Sequence, residues 1–89
     1  MNVDYIDARQ DIADLKSKAY MDKALIEEVL AIMSRLAKPG EVRRKEFDLN
    51  QFFVEFAQID FAPYTAFNVG ILLGVMGESF KSGVTVSNR

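Results

Sequence analysis

The spacing of apolar residues predicts a helix at the start of the chain. The apolar positions follow one another at alternating steps of three and four, at Tyr5, Ala8, Ile12, Leu15 and Ala19. This spacing places them on one face of a helix that packs against another helix. The residues between them are mostly polar, as on the solvent side of an amphipathic helix. We therefore predict a helix over residues 3–20.

A break near Asp22 separates this helix from a second one. The stripe would next reach position 22, where aspartate is a favourable N-cap because its carboxylate accepts hydrogen bonds from the first free N–H groups. The second helix is predicted over residues 23–37 and ends at Lys38-Pro39-Gly40. Its wide apolar face consists of Leu25, Ile26, Val29, Leu30, Met33, Leu36 and Ala37. One bent helix over residues 3–38 is the alternative, and the pattern leaves both open.

Asp48 begins a third predicted helix, over residues 49–59. Asp48 occupies the N-cap position and Gln51 the N3 position of a capping box, and Phe47 and Phe52 occupy the two hydrophobic staple positions. The apolar residues of this helix are expected in the core. They are Leu49, Phe52, Phe53 and Phe56.

Pro63 precedes a fourth predicted helix, over residues 64–81. Proline suits the first turn of a helix, where its missing N–H costs nothing. Within this helix Ala66, Gly70 and Gly74 follow at steps of four. Each interior glycine costs about 1 kcal/mol relative to alanine. We therefore expect this stripe to pack closely against another backbone.

These elements predict an all-α fold, a single helical domain over residues 1–89 built as a small bundle of three to four helices. The tail, residues 83–89, alternates apolar and polar residues, and we favour a frayed terminus over a short edge strand. Hydrophobic residues make up 49% of the 89 residues before the five glycines are counted. That share is high for a short chain, which has little interior. A homodimer is therefore predicted, with dimer or core packing through Phe52, Phe53, Phe56, Ala66, Gly70 and Gly74.

The chemistry available to this chain is limited by its composition. It has no cysteine and no histidine, which removes thiolate nucleophiles, Ser-His pairs, disulfides and the usual zinc sites. The remaining proton-transfer groups show no spacing that indicates a catalytic pair. We predict that the protein is not an enzyme, with no catalytic residue, no metal and no cofactor.

An uncharged stretch from Phe61 to Gly77 reaches the lower length limit of a membrane helix, roughly 17 residues. It contains Pro63, Thr65 and Asn68, so we predict a buried core helix and no membrane partner. The N-terminus is acidic and lacks the basic start and apolar run of a signal peptide. Together with the lack of cysteine, this favours a cytoplasmic location.

Four aspartates form an acidic row along the first predicted helix. Asp4, Asp7, Asp11 and Asp14 lie at steps of three, four and three, so helical geometry aligns them. The row has two interpretations, a solvated helix face and a docking surface for a basic protein partner. A metal site is disfavoured because hard cations need six or more convergent oxygens.

Arg43, Arg44 and Lys45 support an alternative function, a dimeric nucleic-acid-binding transcriptional regulator. These residues would contact phosphates, and the helix over 49–59 would be the recognition helix of a helix-turn-helix. That helix carries no lysine or arginine, and the formal net charge of the chain is -2. Because affinity for nucleic acid depends on neutralising phosphates, nucleic acid is an unfavourable partner.

Six of the seven phenylalanines lie between Phe47 and Phe67. A pocket for an apolar ligand is one interpretation, and an aromatic core or dimer interface is the favoured one. The function that agrees best with all these features is a small non-enzymatic protein-interaction module, an adaptor, inhibitor or regulatory subunit with a protein partner of unknown identity. If one surface stays uncovered in the monomer, we expect it along Ala66, Gly70 and Gly74.

Overall fold

The chain folds into four helices and one short sheet in a computed structural model that describes residues 2–37 and 46–85. The helices are α1 (Tyr5–Asp14), α2 (Lys23–Leu36), α3 (Leu49–Phe56) and α4 (Ala66–Gly83), and a 3-10 turn, Leu15–Ser17, extends α1. The strands are β1 (Asn2–Asp4), β2 (Glu46–Asp48) and β3 (Val84–Thr85). This mostly helical bundle with a short strand at its C-terminal end confirms the predicted fold class.

Residues 18–22 separate α1 from α2, so this part of the chain forms two helices. Asp22 caps α2 as predicted, because its Oδ1 accepts a hydrogen bond from the N–H of Ala24 at 2.9 Å. The first helix is shorter than the predicted span of residues 3–20. It ends at Asp14, and the 3-10 turn after it directs the chain away before Ala19, which is exposed.

A three-stranded antiparallel sheet joins the two ends of the described chain. β1 is the central strand, with β2 and β3 on either side of it. Val3 of β1 pairs with Phe47 of β2 and with Val84 of β3. The preference for a frayed terminus is therefore wrong for Val84–Thr85, because β1 offers them a backbone partner. Residues 86–89 lie outside the described residues.

The limits of the two C-terminal helices differ from the predicted ones. α3 ends at Phe56 instead of residue 59, since the chain then enters turns in which Asp60 Oδ1 accepts from the N–H of Ala62 at 3.0 Å. Thr65 caps α4, because its Oγ1 accepts from the N–H of Asn68 at 3.1 Å. Pro63 therefore lies before the helix and outside its first turn.

One hydrophobic core draws side chains from the sheet and from all the described helices. α1 packs between α4 and α2, and α3 packs against α2. α4 buries only one side, which corrects the expectation of a helix buried in the core. Among the described residues, no helix combines the length and the apolar character needed to cross a membrane. The largest fully buried side chains are Phe47, Phe52, Ile12, Leu25, Ile26, Met33, Leu72, Met76, Val3 and Val29.

Candidate functional site

One side of α4 is apolar and open to solvent. The opposite side of the helix turns Leu72, Met76 and Phe80 into the core. We define the α4 face as the exposed positions Phe67, Gly70, Leu73, Gly74 and Gly77. Phe67 is 60% exposed and Leu73 is 45% exposed. The sequence has no charged residue from Phe61 to Gly77, so about three helical turns of this surface carry no charge.

The glycines of the α4 face have no packing partner in the described part of the chain. Apart from its chain neighbours and the local backbone of the same helix, a Cβ atom added at Gly70, Gly74 or Gly77 would meet nothing within 4 Å. Their backbone is ordinary right-handed helix, which alanine adopts more readily than glycine does. The close backbone packing expected from the stripe is therefore not made inside the described chain. Ala66, at the start of the same stripe, is also exposed.

An exposed aromatic pair lies at the N-terminal end of the α4 face. Tyr20 is 53% exposed, and its ring meets that of Phe67 edge to face, with the centroids 5.8 Å apart. The buried side chain of Asn68 holds this corner together. Its Nδ2 donates to the carbonyl oxygen of Tyr20 at 3.0 Å, and its Oδ1 accepts from the N–H of Asp22. The two rings are thus presented by a hydrogen-bonded corner and not by a free loop.

Replacing Asn68 with alanine is expected to lower the free energy of unfolding by about 1–2 kcal/mol. The substitution leaves the carbonyl of Tyr20 and the N–H of Asp22 without their protein partner. Urea unfolding followed by circular dichroism measures the change. Asn50→Ala is the matched control, since Asn50 is exposed on α3. Equal effects of the two substitutions would contradict this structural role of Asn68.

Most of the phenylalanine rings pack against one another in the core. Rings of Phe47, Phe52 and Phe80 lie with their centroids 5.2–5.6 Å apart. Phe80 belongs to the cluster although it lies outside the stretch that the sequence singled out, whereas Phe67 is elsewhere on α4. Rings at these distances pack against one another, as in an aromatic core. The six members are Phe47, Phe52, Phe53, Phe56, Phe61 and Phe80.

Phe53 is the exception within this cluster. The sequence places it in the core, but 44% of its surface is exposed. Phe52 and Phe56, one helical turn apart, occupy the buried side of α3, and Phe53 is rotated by about 100° from Phe52 and about 60° from Phe56. Its ring centroid lies 6.2 Å from that of Phe80. Phe53 therefore lies close to the C-terminal half of α4.

A shallow groove of about 290 Å³ lies between α2 and α3. Arg35 forms an ion pair with Glu55, and this hydrogen bond holds the pKa of Glu55 below its usual range. The hydroxyl of Tyr64 donates to the carboxylate of Glu28, which raises the pKa of Tyr64 to about 12. Both contacts are exposed, and exposed pairs contribute little to stability. These groups bind one another and do not converge on an open position.

The acidic row is shorter in the structure than in the prediction. Asp4 belongs to β1 and caps α1, with its Oδ1 accepting from the N–H of Asp7 at 3.2 Å. Asp7, Asp11 and Asp14 lie exposed on α1, where Asp14 accepts from Nε2 of Gln10 at 2.7 Å. Over residues 2–37 and 46–85, the acidic side chains form no group of three that could hold a metal ion.

The predicted phosphate contacts cannot be placed on this surface. Arg43, Arg44 and Lys45 lie outside the described residues. The structure does describe the helix that would have to read the bases, and α3 exposes Phe53 and Val54 there.

Comparisons with protein-family models, with curated proteins and with solved structures return no match for this chain.

Proposed function

We propose that this chain is a small non-enzymatic protein-interaction module, an adaptor, inhibitor or regulatory subunit that acts by occupying a surface of another protein. The observation that carries the proposal is the exposed, uncharged α4 face with Tyr20 at its end. Soluble proteins expose few contiguous apolar patches, and those that they expose often mark interaction sites. Aromatic side chains are also the commonest energetic anchors of protein interfaces.

The shape of the α4 face favours a protein partner over a small molecule. Gly70, Gly74 and Gly77 leave a shallow channel along α4. Apart from neighbouring residues and the backbone of the same helix, nothing lies within 4 Å of a Cβ built at these glycines. Small ligands bind in concave sites that bury most of their surface. A helix of another protein, by contrast, can lie along such a channel and bring its backbone close.

Other features of the chain agree with a binding role but do not carry it. The sequence lacks the cysteine and histidine on which most nucleophilic and acid–base catalysis relies. The exposed aspartates of α1, Asp7, Asp11 and Asp14, remain a predicted docking surface for a basic partner. A cytoplasmic location also remains a prediction.

Site-specific photo-cross-linking tests the proposal. The photoreactive amino acid p-benzoylphenylalanine replaces Phe67, which keeps an aromatic ring at this exposed position. The matched control carries the same amino acid at Ala31, an exposed position of α2. After irradiation in the native host, we expect discrete protein adducts from position 67 and none of the same mass from position 31.

The adducts identify the partner by mass spectrometry, and a competition step checks the surface. Co-expressed chain without the photoreactive residue should reduce the adducts, whereas co-expressed Phe67→Asp should not. Identical adduct patterns from positions 67 and 31, or no adduct from position 67, would refute the proposed interaction surface.

A further inference from the structure

We infer that the occupant of the α4 face is a second copy of this chain, with the two α4 helices packed antiparallel. This inference rests on the proposed function, because it names a second copy as the protein that the α4 face binds; the exposed aspartates of α1 then remain the predicted docking surface for a different protein. It is carried by a symmetry in the face itself. Gly70 and Gly74 lie two residues on either side of Leu72, and Phe67 and Gly77 lie five residues on either side of it.

Leu72 is the geometric centre of this pattern. It is fully buried and marks the middle of the core-facing side of α4. At 100° per residue, positions two and five residues away from it point to the opposite, exposed side. The glycines and Phe67 therefore lie symmetrically about a point on the α4 face directly behind Leu72.

An antiparallel pair related by a two-fold axis through this point would match large positions with small ones. Gly70 of one copy would oppose Gly74 of the other, so the backbones could approach more closely than the usual ~8–10 Å between helix axes. Phe67 of one copy would oppose Gly77 of the other, where no side chain competes for the space. Two-fold pairing through one self-complementary patch is the commonest form of homo-oligomer.

A parallel pair would not achieve this match. Phe67 would oppose Phe67 at one end, and Gly77 would oppose Gly77 at the other, which leaves crowding at one end and a gap at the other. Poor filling of an interface loses contact energy at the gap and creates strain at the crowded end. The order of residue sizes along α4 thus selects the antiparallel arrangement.

The charges of α4 agree with the same arrangement. The charged residues of α4 are Glu78 and Lys81, both near its C-terminal end. In an antiparallel pair they would lie at the level of Ala66 and Pro63 of the other copy, neither of which is charged. A parallel pair would place Lys81 beside Lys81 and Glu78 beside Glu78, and like charges at an interface oppose association.

The size of the face sets the expected affinity. α4 has 18 residues, which corresponds to a length of ~27 Å and a contact strip on the order of 300 Å² per copy at a helix width of ~11 Å. Tyr20 adds exposed aromatic surface at the N-terminal end of the face. Stable interfaces bury ~800 Å² per partner, so we expect a dimer that dissociates at micromolar concentrations.

Sedimentation equilibrium over a range of roughly 5–500 µM, which spans the expected affinity, tests the dimer. The mass should rise from 10.1 kDa towards twice that value. Gly74→Leu fills the channel and should weaken dimerisation at least about tenfold. We expect the fold of this variant to be retained, because Gly74 is exposed and a Cβ there lies in open space. Ala31→Leu adds the same side chain to an exposed position of α2 and should leave the dimer unchanged.

A distance measurement tests the antiparallel arrangement. The chain has no cysteine, so Lys81→Cys provides a unique attachment site for a nitroxide spin label. In the antiparallel dimer the two positions lie ~27 Å apart along the helix axes. A parallel dimer would bring the two labels within about 15 Å, since equal positions then lie side by side across ~8–10 Å.

Three results would overturn the inference: a monomer at all concentrations, a dimer unaffected by Gly74→Leu, or labels within about 15 Å of each other at the parallel-pair spacing. The cross-linking experiment at position 67 distinguishes this failure from failure of the proposed function. Adducts with a different protein from a chain that stays monomeric would retain the interaction module and remove only the second copy as its partner. No adduct and no dimer would remove both.

Discussion

Replacing Phe52 with alanine is expected to lower the free energy of unfolding by about 3–5 kcal/mol. The side chain of Phe52 is fully buried. Its ring contacts those of Phe47, Phe56 and Phe80, with the centroids 5.2–5.8 Å apart. The substitution therefore opens a cavity where β2, α3 and α4 meet. Small domains are stable by only about 5–15 kcal/mol, so a large part of the stability would be lost.

Phe53→Ala is the matched control for this prediction. It removes the same side chain from the neighbouring position of α3, but 44% of Phe53 is already exposed. The expected loss is about 1–2 kcal/mol, since less apolar surface leaves the core and no closed cavity remains. Urea unfolding at low micromolar concentration, followed by circular dichroism, measures both variants. Equal losses for Phe52→Ala and Phe53→Ala would contradict the placement of the two rings.

Helix starts are the features that the sequence predicts best, because a cap is a local interaction. Asp22 and Asp48 both cap helices as predicted, and Asp48 Oδ1 accepts from the N–H of Gln51 at 3.1 Å. The staple residues Phe47 and Phe52 also meet, with their ring centroids 5.6 Å apart. The two partners of each contact lie within five residues of each other, so these contacts do not depend on how distant parts of the chain pack.

The sheet could not be predicted in the same way. β1 and β2 contain three residues each, too few to show an alternating pattern. The tail that holds β3 does alternate, but this pattern left a short strand and a frayed end both open. Their pairing also joins residues far apart in the chain, such as Val3 and Phe47.

The exposure of Phe53 also could not be predicted from the sequence. Phe53 lies at the edge of the apolar face of α3, about 100° from Phe52, so residue spacing does not show whether its ring meets the core.

The candidate site was predicted in part. The small residues Ala66, Gly70 and Gly74 stand out in the sequence because glycine is costly inside a helix. Tyr20 and Asn68 were not identified, because they meet only when the break before α2 lies against the start of α4. The available signal was Asn68 itself, a polar side chain in an otherwise apolar stretch that needs a hydrogen-bond partner when buried.

Replacing Gly70, Gly74 and Gly77 together with alanine is expected to raise the free energy of unfolding of the monomer by about 2–3 kcal/mol, or about 1 kcal/mol for each position. All three have helical backbone, and the added methyl groups meet nothing within 4 Å. Thermal and urea unfolding at low micromolar concentration, where the weak dimer is dissociated, measure the change. A loss of stability would show that the glycines are needed inside the monomer.

The same triple variant separates what glycine contributes to the fold from what it contributes to binding. Alanine at Gly70 and Gly74 would place methyl groups between the two α4 backbones. The two helices should therefore lie further apart, and the dimer should be weaker. If the monomer becomes more stable while the dimer becomes weaker, close packing in the interface offsets the cost of glycine inside the helix. If both the monomer and the dimer become more stable, Gly70 and Gly74 do not lie between the two helices.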